Sequence, residues 1–219
     1  MVNQNPKRKL SLSSWILIIS NFVPLWGVLF LGWNTLVILL LFWTENLMIG
    51  FFNILKMAIV KTQGIIGIIP KIFLIPFFAF HYGMFTFIHG AFVIGFFGRS
   101  YVGNSFPTPD VFLKIVKDNN LYYAMMALFI SHSFSFIYNY IIQEEYKKVS
   151  LDKLMAAPYA RVVILHLTII AGGFLLMASN SPVGGLVILI ILKMLFDIKA
   201  HNKEHDLLSP IKKGERYVS

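Results

Sequence analysis

KIFLIPFFAFHYGMFTFIHGAFVIGFFG, from Lys71 to Gly98, is the stretch whose reading decides the fold. After Lys71 it has no charged residue, and it is long enough to cross the hydrocarbon core of a bilayer as a helix. Yet it carries two imidazoles, His81 and His89. Ionisable side chains at that depth are costly and need partners or water. Steps of four residues drift by only about 40° around a helix, so His81, Phe85 and His89 share one broad face. His81 falls near mid-depth, and His89 lies closer to the far side.

Working outward, the same combination recurs. Apolar runs at 14–31, 35–59, 71–97, 121–142, 159–178 and 183–200 predict six spans. Hydrophobic residues make up 57% of the chain and charged residues 13%, against about 45–50% and about 25% in soluble domains. The expected fold is therefore all-α: an integral membrane bundle of about six transmembrane helices spanning 14–201. A basic tail, 1–13, precedes it and another, 202–219, follows. The N-terminal run after Lys7, Arg8 and Lys9 has no small-x-small cleavage site, which predicts a retained first span rather than a signal peptide.

The net charge of +9 follows loop position. Lys61, Lys71, Lys147, Lys148, Lys153 and Arg161 fall on the side of both termini; Arg99, Lys114 and Lys117 fall opposite. This asymmetry predicts cytoplasmic termini in a multi-pass protein of the cell (cytoplasmic or inner) membrane. It also makes the lipid bilayer, not nucleic acid, the partner of the basic residues. With no cysteine, disulfides, thiolate metal sites and cysteine nucleophiles are excluded.

Polar residues mark the middle of most spans. The second holds Trp43-Thr44-Glu45-Asn46, and Asn46, Gly50 and Asn53 share a face. In the fourth, His132, Ser135, Asn139 and Gln143 form a stripe that must face protein or water. Pro158 is expected in the first turn of the fifth span, which carries His166. The sixth brings Lys193, Asp197 and, at the interface, His201. The connection 98–120 is polar, with a short amphipathic piece at 111–116.

Ionisable residues on several helices at overlapping depths are economically explained by one shared site. Two chemistries fit it. His81, His132 and His166 with Glu45 or Asp197 match the donors of catalytic zinc or of iron. A metal-bound water could then hydrolyse a lipid or another membrane-delivered substrate, with Glu45 and Asp197 as candidate catalytic carboxylates. A haem between two histidines is a variant. Alternatively, the same residues form the pathway of a small proton- or ion-coupled transporter or channel, with His89, Asn46, Asn139, Lys193 and His201 as further polar lining. Packing alone is the third reading, with Lys193 and Asp197 neutralising each other and the asparagines joining helices.

Trp43-Thr44-Glu45-Asn46, His81-Tyr82-Gly83, His89-Gly90, Ser131-His132, Asn139, Glu145-Tyr146, Pro158-Tyr159 with Arg161, His166, and Lys193 with Asp197 and His201 together resemble an uncharacterised family of prokaryotic multi-pass membrane proteins, a domain of unknown function. The resemblance implies the same span count and polar residues, and no reaction. Phe85-x-x-x-His89 and Glu144-Glu145 occur in the reverse of the order found in CAAX-protease-like proteins, which excludes that family.

Overall fold

The computed structural model describes residues 24–62, 64, 67–178, 186–188 and 190–195. These residues are helical or connecting, with no strand among them. Helix α1 comprises residues 24–30. It is followed by α2 (Thr35–Ile59), α3 (Ile69–Phe97), the single turn α4 (Arg99–Val102), α5 (Pro109–Asp118), α6 (Tyr122–Ser135) and α7 (Leu151–Ala178). The helical residues within 186–195 form α8. Among the described residues, three helical stretches, Thr35–Ile59, Ile69–Phe97 and Tyr122–Ile142, are long and apolar enough to cross a membrane. Most of the first predicted span, much of the sixth and both tails lie outside the described residues.

Helix α2 is the axis of the bundle. Asn34 caps its start, accepting a hydrogen bond from the Val37 N–H at 3.1 Å. Its first half is buried on every side: Val37, Ile38 and Leu39 have no exposed surface. A helix apolar all round belongs inside a bundle. At its other end, Lys71 Nζ donates to the Ala58 and Val60 carbonyls at 2.9 and 2.6 Å. This supplies donors to carbonyls at the helix end, where partners run out. Around α2, the outer helices show the reverse pattern. Phe73, Phe80, Phe87, Ile88, Ile130 and Ile137 all stand exposed on α3 and along Tyr122–Ile142, while Glu45, Asn46, Asn53, Thr86 and Lys193 are buried.

Two apolar clusters lie one at each end. The first joins Leu36 to Phe42 of α2 with Val93 and Ile94 of α3, Ile115 of α5, Ala124 of α6 and Ile190 of α8. The second joins Met57, Phe78, Tyr140, Leu154 and Val162. Helix α5 runs over 109–118, longer than the amphipathic piece expected at 111–116, because Pro109 starts it and Asp110 occupies its first turn.

Two features differ from expectation. Helix α6 continues into a π-helix, Phe136–Ile142, which changes the register of the stripe below His132. More important, α7 begins at Leu151, so Pro158 lies inside the helix rather than in its first turn. A proline there removes the N–H that would reach the carbonyl four residues back, Leu154. Asn53 replaces it: its side-chain amide, buried on α2, donates to the Leu154 carbonyl at 2.9 Å. The lost intrahelical bond thus becomes a bond between helices.

This makes a clear double-mutant expectation. Asn53→Ala strands a buried carbonyl and should cost about 1–3 kcal/mol. In a Pro158→Ala background the backbone N–H returns, and the same substitution should cost about 1 kcal/mol or less. Thermal unfolding of the four proteins in one detergent reads the difference.

Candidate functional site

The polar layer lies between the two apolar clusters. On α2, Thr44, Glu45 and Asn46 follow directly on Phe42 and Trp43. On α3 it includes the buried Thr86, between Tyr82 of one cluster and Val93 of the other; it is marked by His132 of α6, between Ala124 and Tyr140 of the π-helix; on α8 it is marked by Lys193, just past Ile190. At its centre the Lys193 ammonium forms an ion pair with Glu45 Oε2. Glu45 and Lys193 are only 6% and 7% exposed. Breaking such a pair is expensive because it strands a buried charge. His132 Nε2 stands 3.9 Å from the other oxygen, Glu45 Oε1, beyond a direct hydrogen bond and within reach through a small shift or one water. The Phe42 ring lies 4.9 Å below the Lys193 ammonium, a cation–π contact that favours the charge there.

Asn46 turns to the other side. Its amide Nδ2 donates to the Phe42 carbonyl at 2.9 Å, which fixes the amide orientation because a carbonyl only accepts. Its Oδ1 is buried and has no hydrogen-bond partner among the described residues, an acceptor suited to water or to a passing donor. Its backbone carbonyl accepts from Tyr82 Oη at 3.0 Å. Gly50, one turn on, lies so close to Tyr82 that a Cβ there would sit 2.5 Å from the ring. The face of Asn46, Gly50 and Asn53 read from the sequence thus meets α3 and α7.

The histidines expected to share one centre divide into separate pairs. His81 Nδ1 meets Tyr159 Oη at 2.8 Å, and the His81 ring lies between Phe77 and Phe85. His89 Nε2 meets His166 Nδ1 at 2.9 Å. A fifth span starting at Tyr159 places His166 within its first two turns; α7 instead starts eight residues earlier, at Leu151, and the extra helix, about 12 Å, carries His166 to the depth of His89. Asn139 donates to Ser135 Oγ at 3.2 Å. Asp197 and His201 lie outside the described residues. Among the described residues, no three His, Asp or Glu side chains gather as ligands for a metal ion. Among the described residues of the expected donor set, Glu45 and His132 come together, and an ammonium already occupies one carboxylate oxygen.

A family of unknown function, DUF6498, is matched over residues 3–213. The chain belongs to that family. No curated protein and no solved structure matches it. The DUF6498 match covers the polar layer and both apolar clusters, so the ion pair can be treated as part of one family domain. Sequence reasoning missed the roles of Trp43, Tyr82, Thr86 and Tyr159. Tyr82 and Tyr159 had a signal, since each adjoins an informative neighbour, His81 or Pro158, inside an apolar run.

The His89–His166 contact carries a chemical expectation. His89 Nδ1 lies 2.7 Å from the Phe85 carbonyl, so Nδ1 must hold a proton. When the pair is neutral, His166 donates from Nδ1 and His89 accepts at Nε2. Nitrogen NMR of ring-labelled protein should show His89 as the Nδ1–H tautomer at neutral pH; an Nε2–H tautomer would contradict the pairing.

Proposed function

We propose that this chain is a multi-pass protein of a prokaryotic cytoplasmic membrane, with six spanning helices and both termini in the cytoplasm. We further propose that its Glu45 centre carries a proton or small cation through the bilayer. One observation carries the reading: an ion pair and an imidazole are buried between two apolar clusters, on helices whose outer faces are exposed and apolar. Ionisable groups in such a position mark ion or proton pathways. Loop charge supports the orientation. The Lys61 N–H donates to the Tyr146 carbonyl at 2.9 Å, which holds two lysine-bearing connections at one end, away from α5.

The arrangement suggests a sequence of steps. A proton taken up by His132 passes to Glu45 when the 3.9 Å gap closes. Neutral Glu45 holds the Lys193 ammonium less strongly, which loosens the polar contact between α8 and α2. Loss of the proton to the other side restores the pair. A metal-dependent hydrolase would draw on the same carboxylate, and would need it free of Lys193.

Purified protein in vesicles with a trapped pH dye, under an imposed potential, tests this. Wild type should move protons or be driven by an added monovalent cation, and Glu45→Gln and His132→Ala should not. Absence of flux in wild type rejects transport. Stoichiometric zinc or iron in that same inactive protein would turn the assignment to the hydrolase; metal-free inactive protein would reject both.

A further inference from the structure

Helices α3 and α7 are joined by two polar contacts that advance together along both. His81 Nδ1 meets Tyr159 Oη at 2.8 Å, and His89 Nε2 meets His166 Nδ1 at 2.9 Å. Each contact is about two turns from the other on either helix, so the first holds the register of the second. His89 is also fixed in orientation. Its Nδ1 lies 2.7 Å from the Phe85 carbonyl, which places the proton there and leaves the Nε2 lone pair facing His166. A ring N–H donated to a backbone carbonyl is the support that metal-ligating histidines carry. His166 is exposed and His89 half-buried, which leaves room for water ligands. The pair stands apart from the Glu45 centre, whose partners lie on α6 and α8.

We infer that His89 and His166 form a binding site for a divalent transition metal of the copper or nickel class. With metal–nitrogen bonds of about 2.05 Å, two nitrogens 2.9 Å apart subtend about 90° at the ion. That is the cis angle of tetragonal Cu²⁺ or Ni²⁺. A tetrahedral angle needs the nitrogens about 3.3 Å apart. The two nitrogens already stand at chelating distance, and only the rings must turn. In the neutral pair His89 keeps its Nδ1–H, while the proton of His166 moves from Nδ1 to Nε2. Both facing lone pairs then go to the ion, no proton is lost, and one N–H···N bond is exchanged for two metal–nitrogen bonds. Water fills the remaining positions. The inference does not rest on the transport reading.

The test uses the full-length chain in detergent, stripped of metal with a chelator that is then removed. It carries His201→Ala and His205→Ala, because histidines four residues apart in the sequence can chelate by themselves if helical. Electron paramagnetic resonance is recorded after one equivalent of Cu²⁺, with the imidazole nitrogens isotopically labelled. A tetragonal signal coupled to two imidazole nitrogens is expected. His89→Ala and His166→Ala should each weaken binding about tenfold or more, whereas His81→Ala, His132→Ala and Glu45→Gln should leave it unchanged. Coupling to one imidazole or none would overturn the site, as would binding lost in Glu45→Gln and kept in His89→Ala. If the histidine variants misfold, as judged by gel filtration, the parent protein decides alone. Nitrogen NMR with diamagnetic Zn²⁺ should then show His166 switching from the Nδ1–H to the Nε2–H tautomer while His89 stays Nδ1–H. An unchanged His166 would overturn the site. Vesicles that fail to carry ions would count against transport and leave this result intact.

Discussion

The constraint on which the architecture depends is the ion pair between Glu45 and Lys193. A carboxylate and an ammonium buried together in an apolar bundle each need the other, since either alone would carry a large desolvation cost. The pair therefore fixes which face of α8 meets α2 and at what height. With that height set, His132 of α6 falls beside the second carboxylate oxygen and the Phe42 ring falls beneath the ammonium. The residues on either side are then mostly apolar. The result is a polar layer between two dry clusters, not polarity spread along the bundle.

Around that layer the helices are joined by backbone carbonyls that accept from distant side chains. Trp43 reaches Thr86, Tyr82 reaches Asn46, Tyr140 reaches Lys56, and Asn53 reaches Leu154. The last is the most informative, because the carbonyl is one that Pro158 leaves without its normal donor. Such bonds give orientation to helices whose apolar surfaces would otherwise slide past one another with little preference.

The sequence shows some of these features and hides others, for physical reasons. Helix α2 was read with its observed ends, because Asn34 and the basic residues after Ile59 frame an unbroken apolar run. The start of α7 was misread because a proline usually marks a first turn, and the asparagine that makes an interior proline tolerable is 101 residues away. That misreading also displaced His166 in depth and concealed its pairing with His89. Glu45 and His132 both belong to the wider donor set expected from the sequence, and they come within 3.9 Å of each other. The contact of Lys193 with Glu45 spans 148 residues, so no local spacing announces it, whereas Asp197 is one helix turn away in the sequence. The π-helix after Ser135 has no periodic signature, so the lower part of the α6 stripe could not be placed.

On the transport reading proposed above, a buried, mutually dependent pair beside an imidazole supplies two charge arrangements between which a proton could be exchanged. The claim beneath this account is that Glu45 and Lys193 are true partners. Charge exchange measures it most directly. Glu45→Lys and Lys193→Glu, made singly, each place like charges together and should prevent accumulation of folded protein. Made together, they should restore a monodisperse, thermally stable protein in detergent. A double variant no more stable than either single one would contradict the pairing and, with it, the organisation of the polar layer.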